Sequence, residues 1–395
     1  MEPANKLRGS IDRKPRGSLA GFRRKDKMKK KILYLFSDTG GGHRSAATAI
    51  MKAVGGRAQQ EMIDVFAEGS GFLNVFARLY SPVIKYSPNL WGMLYYFLDD
   101  EKKLQQLERI SRPFILKKLT RIIKTKKPDV IVSVHPLVNH LTVQAIKESG
   151  SKIPFIVVIT DPVTLHRAWV TPNVDLCIVA TEEAKKYAIK YGMPSKKIKV
   201  IGMPIHPKFA EGPKNKEKLK KKDGFDPKTF TVLLMGGGEG AGGMYQIIRE
   251  IDQSGLKVQL IVIAGRNKQL EKKLIFEADR MSIKMKVYGF TDQVPDIMSE
   301  SDLIITKAGP GTIAEALAMN LPIIITSWLP GQEEGNVKFV EQAKVGFITK
   351  DPKKVVEIIG RLQNSSELKT INKNIQKARK PHAAIDIADN IIKYL

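Results

Sequence analysis

Short, nearly unbroken apolar runs punctuate the chain at residues 31–36, 62–65, 129–134, 155–160, 176–180 and 198–201, and again at 230–235, 257–264, 285–288, 302–306, 322–326 and 346–349. Charged stretches of helical character lie between several of them. A run that is apolar at nearly every position has no face to offer water, so the pattern predicts strands buried on both sides, as in a parallel sheet covered by helices. Occurring twice over, it specifies an α/β fold of two doubly wound halves. Sheets of this kind bind ligands outside the carboxyl ends of their strands, and two of them facing each other enclose a cleft.

The interruptions set the domain plan. A basic, disordered tail is expected over 1–28, a first Rossmann-like half over 29–206, a lysine-rich linker with little to bury over 207–228, and a second Rossmann-like half over 229–380. The closing segment 381–395 reads as a helix able to return to the first half. Residues 65–98 break the order by crowding aromatic and aliphatic side chains together, and the basic stretch 102–127 follows them directly. That segment fits either a helical hairpin packed on the first sheet or a greasy surface that dips into lipid with Lys and Arg beside it.

Composition narrows the class. With 395 residues, 43% hydrophobic and 27% charged, the chain can build two cores and is neither a disordered nor a disulfide-stapled protein. Its one cysteine, Cys177, sits in an apolar run and is expected as a core thiol in a reducing compartment. A net charge of +26 calls for an anionic partner: nucleic acid, a phospholipid surface or a phosphorylated substrate. No stretch resembles a secretory signal or reaches the ~18 uncharged apolar residues of a spanning helix, so the protein is expected to be soluble or to lie on a membrane. Nucleic acid is the weakest candidate, because the aromatics cluster in one apolar segment instead of alternating with basic residues as stacking platforms.

Three glycine clusters fall between a predicted strand and a predicted helix. In the first, Ser37 to Arg44, Gly41 and Gly42 allow a tight turn, and His43 follows at the lip of the cleft. An imidazole with a pKa near neutrality can there take a proton from an alcohol. The second holds Gly236, Gly237, Gly238, Glu239 and Gly240, too many glycines for packing and suited to wrapping a diphosphate. The third runs through Lys307, Gly309, Pro310, Gly311 and Thr312 to Glu315. Amides and hydroxyl at that helix start can receive phosphate oxygens, Lys307 adds charge, and the Glu315 carboxylate can accept two hydrogen bonds from a ribose diol. The loop 328–336 offers Gln332, Glu333 and Asn336, side chains suited to the hydroxyls of a sugar. Asp161, His166 and Trp169 follow the fourth strand and are candidates for the acceptor side, or for a role in holding the fold. His135 and His140 have no metal-ligand spacing, and no acidic pair is placed to hold a cation on a diphosphate, so no metal and no cofactor are expected.

Taken in order, Ser-Asp-Thr-Gly-Gly-Gly-His-Arg at 37–44, Gly202-Met-Pro-Ile205, the glycines of 236–240, Thr-Lys-Ala-Gly-Pro-Gly-Thr-Ile-Ala-Glu at 306–315 and Pro-Gly-Gln-Glu-Glu-Gly-Asn at 330–336 resemble the monogalactosyldiacylglycerol synthases and related bacterial diacylglycerol glucosyltransferases. More distantly they are similar to the N-acetylglucosaminyltransferase that completes lipid II. The resemblance implies the two-domain GT-B fold and a peripheral enzyme on the cytoplasmic face of the cell membrane. It implies inverting transfer of galactose or glucose from a UDP-hexose to diacylglycerol on an anionic phospholipid surface, without metal. By matched position His43 is the base, the 236–240 loop and Gly309 to Thr312 hold the diphosphate, and Glu315 the ribose. Gln332, Glu333 and Asn336 lie on the sugar, and the backbone around Phe290 frames the uracil. Rival readings are a UDP-sugar enzyme acting on a peptidoglycan lipid or as an epimerase, and a basic nucleic-acid-binding protein.

Overall fold

Every apolar run named above becomes a strand. The computed structural model describes residues 29–37, 41–66, 87–236, 243–363 and 365–395. Strands β1 (Lys31–Phe36), β2 (Gln59–Asp64), β3 (Val130–Ser133), β4 (Phe155–Val158), β5 (Leu176–Val179) and β6 (Ile198–Val200) form one parallel sheet in the order β2-β1-β3-β4-β5-β6. Strands β7 (Phe230–Met235), β8 (Val258–Ile263), β9 (Lys284–Tyr288), β10 (Leu303–Lys307), β11 (Ile323–Ser327) and β12 (Gly346–Ile348) form a second, in the order β12-β11-β10-β7-β8-β9. The second strand starts earlier than its apolar run because Gln59, Gln60 and Glu61 lie at a sheet edge, where solvent replaces a neighbour.

In each sheet the strand order reverses beside the first strand of its lobe, between β1 and β3 in one and between β7 and β10 in the other. Loops leaving the carboxyl ends of such neighbours diverge to opposite faces and open a crevice. His43 leaves β1 at the first reversal; the glycine loops after β7 and β10 leave at the second. Topology therefore puts Gly41 to His43 at the first crevice and the Gly309 to Thr312 turn, with Gly236 directly after β7, at the second.

Burial follows the strand alternation. Leu33, Leu35, Ile131, Phe155 and Cys177 face one side of the first sheet, and Ile32, Tyr34, Phe36, Val132 and Ile178 the other. Burial pushes the Cys177 thiol up to about 12, which leaves it a hydrophobic core group. Helix 383–392 lays Ile387, Ala388 and Ile391 against Ala47 and Ile50 of helix 42–54, so the end of the chain covers the first sheet. The lysine-rich segment expected as a linker differs from its reading. Phe209 and Phe225 join the second core, and Lys220 is only 2% exposed, its ammonium donating to Asp302 Oδ2 at 2.8 Å and to the Thr229 carbonyl at 2.9 Å. Its lysines look solvated in sequence because the acid that neutralises one of them lies more than eighty residues away.

The 67–86 part of the aromatic segment and the tail 1–28 lie outside the described residues. The remainder forms helix 88–98, followed by helix 101–126, whose start Asp100 caps by accepting from the Lys103 amide at 3.1 Å. Ile115, Leu119, Ile122 and Ile123 of the second helix are buried on the first sheet. Ahead of them Met93, Phe97, Ile110 and Phe114 stay exposed at 71%, 53%, 60% and 47%. Among the described residues no helix is long and apolar enough to cross a membrane.

Candidate active site

Gly41 adopts φ +79°, left-handed backbone that an L side chain resists, and from it helix 42–54 begins. His43 stands in the first turn. Its ring lies 4.7 Å from the His135 ring and 5.9 Å from Trp169, and Nδ1 is 3.1 Å from Thr160 Oγ1. Burial holds the His43 imidazole down at about 4, with the Val134 carbonyl acting in the opposite sense. At neutral pH it is therefore a neutral imidazole with one N–H and one lone pair, and burial takes it below the near-neutral value that the sequence predicted. Gly42 is exposed, with open space where a Cβ would stand.

Asp161 lies beside this group and accepts from Trp169 Nε1 at 2.6 Å. Burial, aided by the nearby Glu333 charge of the other lobe, raises the carboxyl to about 7, and the indole bond works against that rise. Trp169 is fully buried, its carbonyl accepting from Asn139 Nδ2 at 3.0 Å. His166, a candidate for the acceptor side, belongs to the scaffold. Its Nδ1 accepts from the Ala168 amide at 3.1 Å and its ring packs 4.9 Å from Tyr95.

In the second lobe Gly309 precedes helix 310–318, and Pro310 fills its first position. Proline has no amide to leave unbonded there, so among the described residues the donors of the first turn without a partner are the amides of Gly311 and Thr312, beyond which the Ile313 amide already bonds the Gly309 carbonyl at 3.0 Å. An added Cβ at Gly311 would meet nothing within 4 Å, so the helix start opens on free space. Glu315 lies one turn further, raised to about 8 by burial alone, and no side-chain partner for it is present among the described residues. Phe290 is 66% exposed with the Arg266 guanidinium 4.8 Å above its ring, and the same Arg266 reaches towards Gly41 in the first lobe. Gly236 follows β7 directly; Gly237, Gly238, Glu239 and Gly240 lie outside the described residues.

The loop after β11 departs from its sequence reading. Glu333 was expected on sugar and Lys307 on diphosphate, yet they hold each other: Lys307 Nζ donates to Glu333 Oε1 at 2.5 Å, and the Leu329 amide to Glu333 Oε2 at 2.9 Å. Asn336, also expected on sugar, is buried and donates through Nδ2 to the Ala308 carbonyl at 2.9 Å. These groups tie the loops after β10 and β11 together instead of standing free in the cleft. Gln332 is different, since its buried Oε1 has no partner. An orphaned carbonyl of that kind costs about 1–3 kcal/mol until something donates to it.

Helix 88–98 closes the cleft from the first lobe. Tyr96 donates its hydroxyl to Glu334 Oε2 at 2.7 Å. Contact is so close that a Cβ added to Gly92 would lie 2.7 Å from Pro330 Cβ, one on Gly331 2.8 Å from Tyr95 Cδ1, and one on Gly335 2.5 Å from Thr164 Oγ1. Sequence reasoning missed Thr160, Thr164, Tyr95 and Tyr96, and weighed His135 only as a metal ligand. Only their neighbours across the fold give them a part, and no local spacing carries that signal.

Comparison with known proteins adds an independent line. Residues 43–205 match the family model described as monogalactosyldiacylglycerol (MGDG) synthase, and residues 231–391 match that of the glycosyltransferase family 28 C-terminal domain. The chain is 35% identical to the chloroplastic monogalactosyldiacylglycerol synthase of Spinacia oleracea over 378 residues, covering 92% of this chain and 72% of the relative. Among solved structures, MurG of Acinetobacter baumannii superposes with a TM-score of 0.58 at 16% identity, covering 92% of this chain and 99% of that one. Anabaena Alr3699/HepE in complex with UDP-glucose superposes with a TM-score of 0.55 at 17% identity, covering 92% and 98%. At such identities these two structures speak for the GT-B fold alone.

Proposed function

The chain belongs to the monogalactosyldiacylglycerol synthase family of glycosyltransferases, and from that premise we propose that it transfers a hexose from a UDP-sugar to the free hydroxyl of 1,2-diacylglycerol with inversion, at a membrane surface. One observation carries the reading: helix 42–54, which carries the neutral imidazole of His43 in its first turn, touches helix 310–318, whose Gly311 and Thr312 amides have no partner among the described residues. A base and an anion site facing each other are what alcohol attack on an anomeric carbon with departing diphosphate requires.

In this scheme His43 takes the acceptor proton as the oxygen attacks, and the bond from the anomeric carbon to the diphosphate oxygen breaks on the opposite side. The departing negative charge is met by the Gly311 and Thr312 amides and the positive end of helix 310–318. Gln332 Oε1 accepts from a sugar hydroxyl, Phe290 flanks the base, and Glu315 binds the ribose. Gly41 and Gly42 keep the acceptor path clear of side chains, with Asp161 and Trp169 as its wall. The reaction so drawn uses no metal.

The acceptor arrives from a bilayer. Met93, Phe97, Ile110 and Phe114 form an exposed apolar surface with Arg109, Arg112 and Lys117 exposed beside them, and Lys103 Nζ sits 3.7 Å from the Phe97 ring centroid. Apolar rings bury among acyl chains, while each basic residue near an anionic leaflet adds roughly 1 kcal/mol. The same helix 88–98 touches the loop that carries Gln332, so lipid entry and sugar lie at one place. In this reading the protein acts on the cytoplasmic face of the cell membrane.

Purified protein incubated with UDP-galactose or UDP-glucose, vesicles of diacylglycerol in anionic phospholipid, and excess chelator is expected to yield a β-hexosyldiacylglycerol identified by mass and chromatographic mobility. The relatives' name favours galactose. Product formed only on a lipid-linked peptidoglycan precursor, or only with added divalent cation, would overturn the acceptor or the metal-free step.

Glu315 gives a proton count. Free, with its carboxyl near 8, it is mostly protonated at pH 7. Two ribose hydroxyls donating to it favour the ionised form, so UDP binding at pH 7 is expected to release close to one proton and to weaken as pH falls below 8. Calorimetry in buffers of different ionisation enthalpy reads the release directly. Glu315→Gln should abolish it, and absence of release in the unsubstituted protein would remove Glu315 from the ribose.

A further inference from the structure

The proposed base cannot act on its own account, because a neutral imidazole carries one proton and only its other nitrogen has a lone pair to offer. Which nitrogen is free depends on what faces each. Thr160 follows β4 and Val134 follows β3, neighbouring parallel strands, and both residues act on the His43 ring. Thr160 is only 3% exposed and its Oγ1 lies 3.1 Å from Nδ1; the Val134 carbonyl acts on the ring in the sense of holding a proton. His135 packs edge-on at 66° and 4.7 Å, and its own buried Nδ1 has no partner, so it fixes the ring plane without competing for that proton.

Resting on the reading of His43 as the base, we infer that Thr160 is a positioning residue that accepts a hydrogen bond from Nδ1–H of His43 and so keeps the Nε2 lone pair free for the acceptor hydroxyl. The logic is that of a nucleophile's base oriented by a third group, with a threonine oxygen in the place more often given to a carboxylate. A carboxylate there would add a negative charge near the departing diphosphate. A hydroxyl fixes the tautomer without one. The opposite arrangement, Oγ1–H donating to Nδ1, would force the proton onto Nε2 and leave the ring with no base facing the cleft.

Long-range proton–nitrogen spectra of histidine-labelled protein identify the tautomer without substrate or turnover. Expected is Nδ1–H at His43 in the unsubstituted chain, a shift towards Nε2–H in Thr160→Val, and the original tautomer in Thr160→Ser. In lipid glycosylation Thr160→Val should lower kcat by about tenfold, the equivalent of one hydrogen bond, with KM for the UDP-sugar changed by no more than about twofold, and Thr160→Ser should restore most of the rate. Nε2–H at His43 in the unsubstituted chain, or Thr160→Val turning over at the full rate, would overturn the assignment. If the tautomer is as stated but no glycolipid forms, the proposed reaction fails and the positioning of the ring stands; if glycolipid forms and Thr160→Val is silent, the positioning alone fails.

Discussion

His43→Ala is expected to lower kcat for lipid glycosylation by about two to four orders of magnitude, the usual contribution of a placed base, with UDP affinity changed by no more than about twofold. The separation is the informative part. His43 stands on the first lobe beside Thr160, His135 and Trp169, whereas the groups proposed for the nucleotide belong to the second. In the proposed mechanism, removing it takes away the acceptor of the attacking hydroxyl's proton and leaves the donor site intact. Steady-state rates with calorimetric titration of UDP make the check. Unchanged turnover would remove His43 from the chemistry, and an equal loss in UDP binding would reassign it to the donor.

Gly335→Ala should be nearly as damaging, although residue 335 touches no reacting atom. The new methyl would sit 2.5 Å from Thr164 Oγ1 and 3.0 Å from the Thr164 amide nitrogen, a clash that no side-chain rotation relieves completely. Something must move, and the seam between helix 88–98 with its neighbours and the 330–335 loop is where the lobes can part. A displacement of about 1 Å between base and anomeric carbon can cost on the order of a hundredfold in rate. Thr164→Gly in the same chain should return part of the activity, because it removes the heavier part of the clash, giving a coupling that independent sites would lack. Circular dichroism should show both lobes folded and small-angle scattering a slight opening. A single substitution with full activity would mean that the closed seam is not the reactive arrangement.

Particular residues show how far the sequence reached. All twelve strands were legible: the inner ones because strands buried on both faces are apolar nearly throughout, and the edge strands β2, β6, β9 and β12 by the shorter apolar stretches they keep beside polar positions. The reversal points that make crevices were legible only as strand–glycine–helix units, because strand order is a property of pairing between distant segments. Glu315 and Gln332 were named from local spacing; among the described residues the Glu315 carboxyl has no side-chain partner, and the buried Gln332 carbonyl has none either. Glu333, Asn336 and Lys307 were named by the same spacing, and the structure spends them on one another and on backbone. A polar residue in a loop looks the same in sequence whether it awaits a ligand or already holds a neighbour.

By itself, then, the order of residues determined the α/β architecture, the two lobes, the three glycine turns and the histidine that follows the first of them, because each depends on contacts within a few residues or on simple exclusion from water. Only the tertiary structure decided that Thr160 addresses the imidazole, that Lys307 is neutralised by Glu333, that Lys220 is buried against Asp302, and that Gly335 must be small for the lobes to meet. Those are facts about which atoms come within hydrogen-bonding or van der Waals reach after the chain has crossed between two sheets. No pattern along the chain encodes that distance until the sheets have formed.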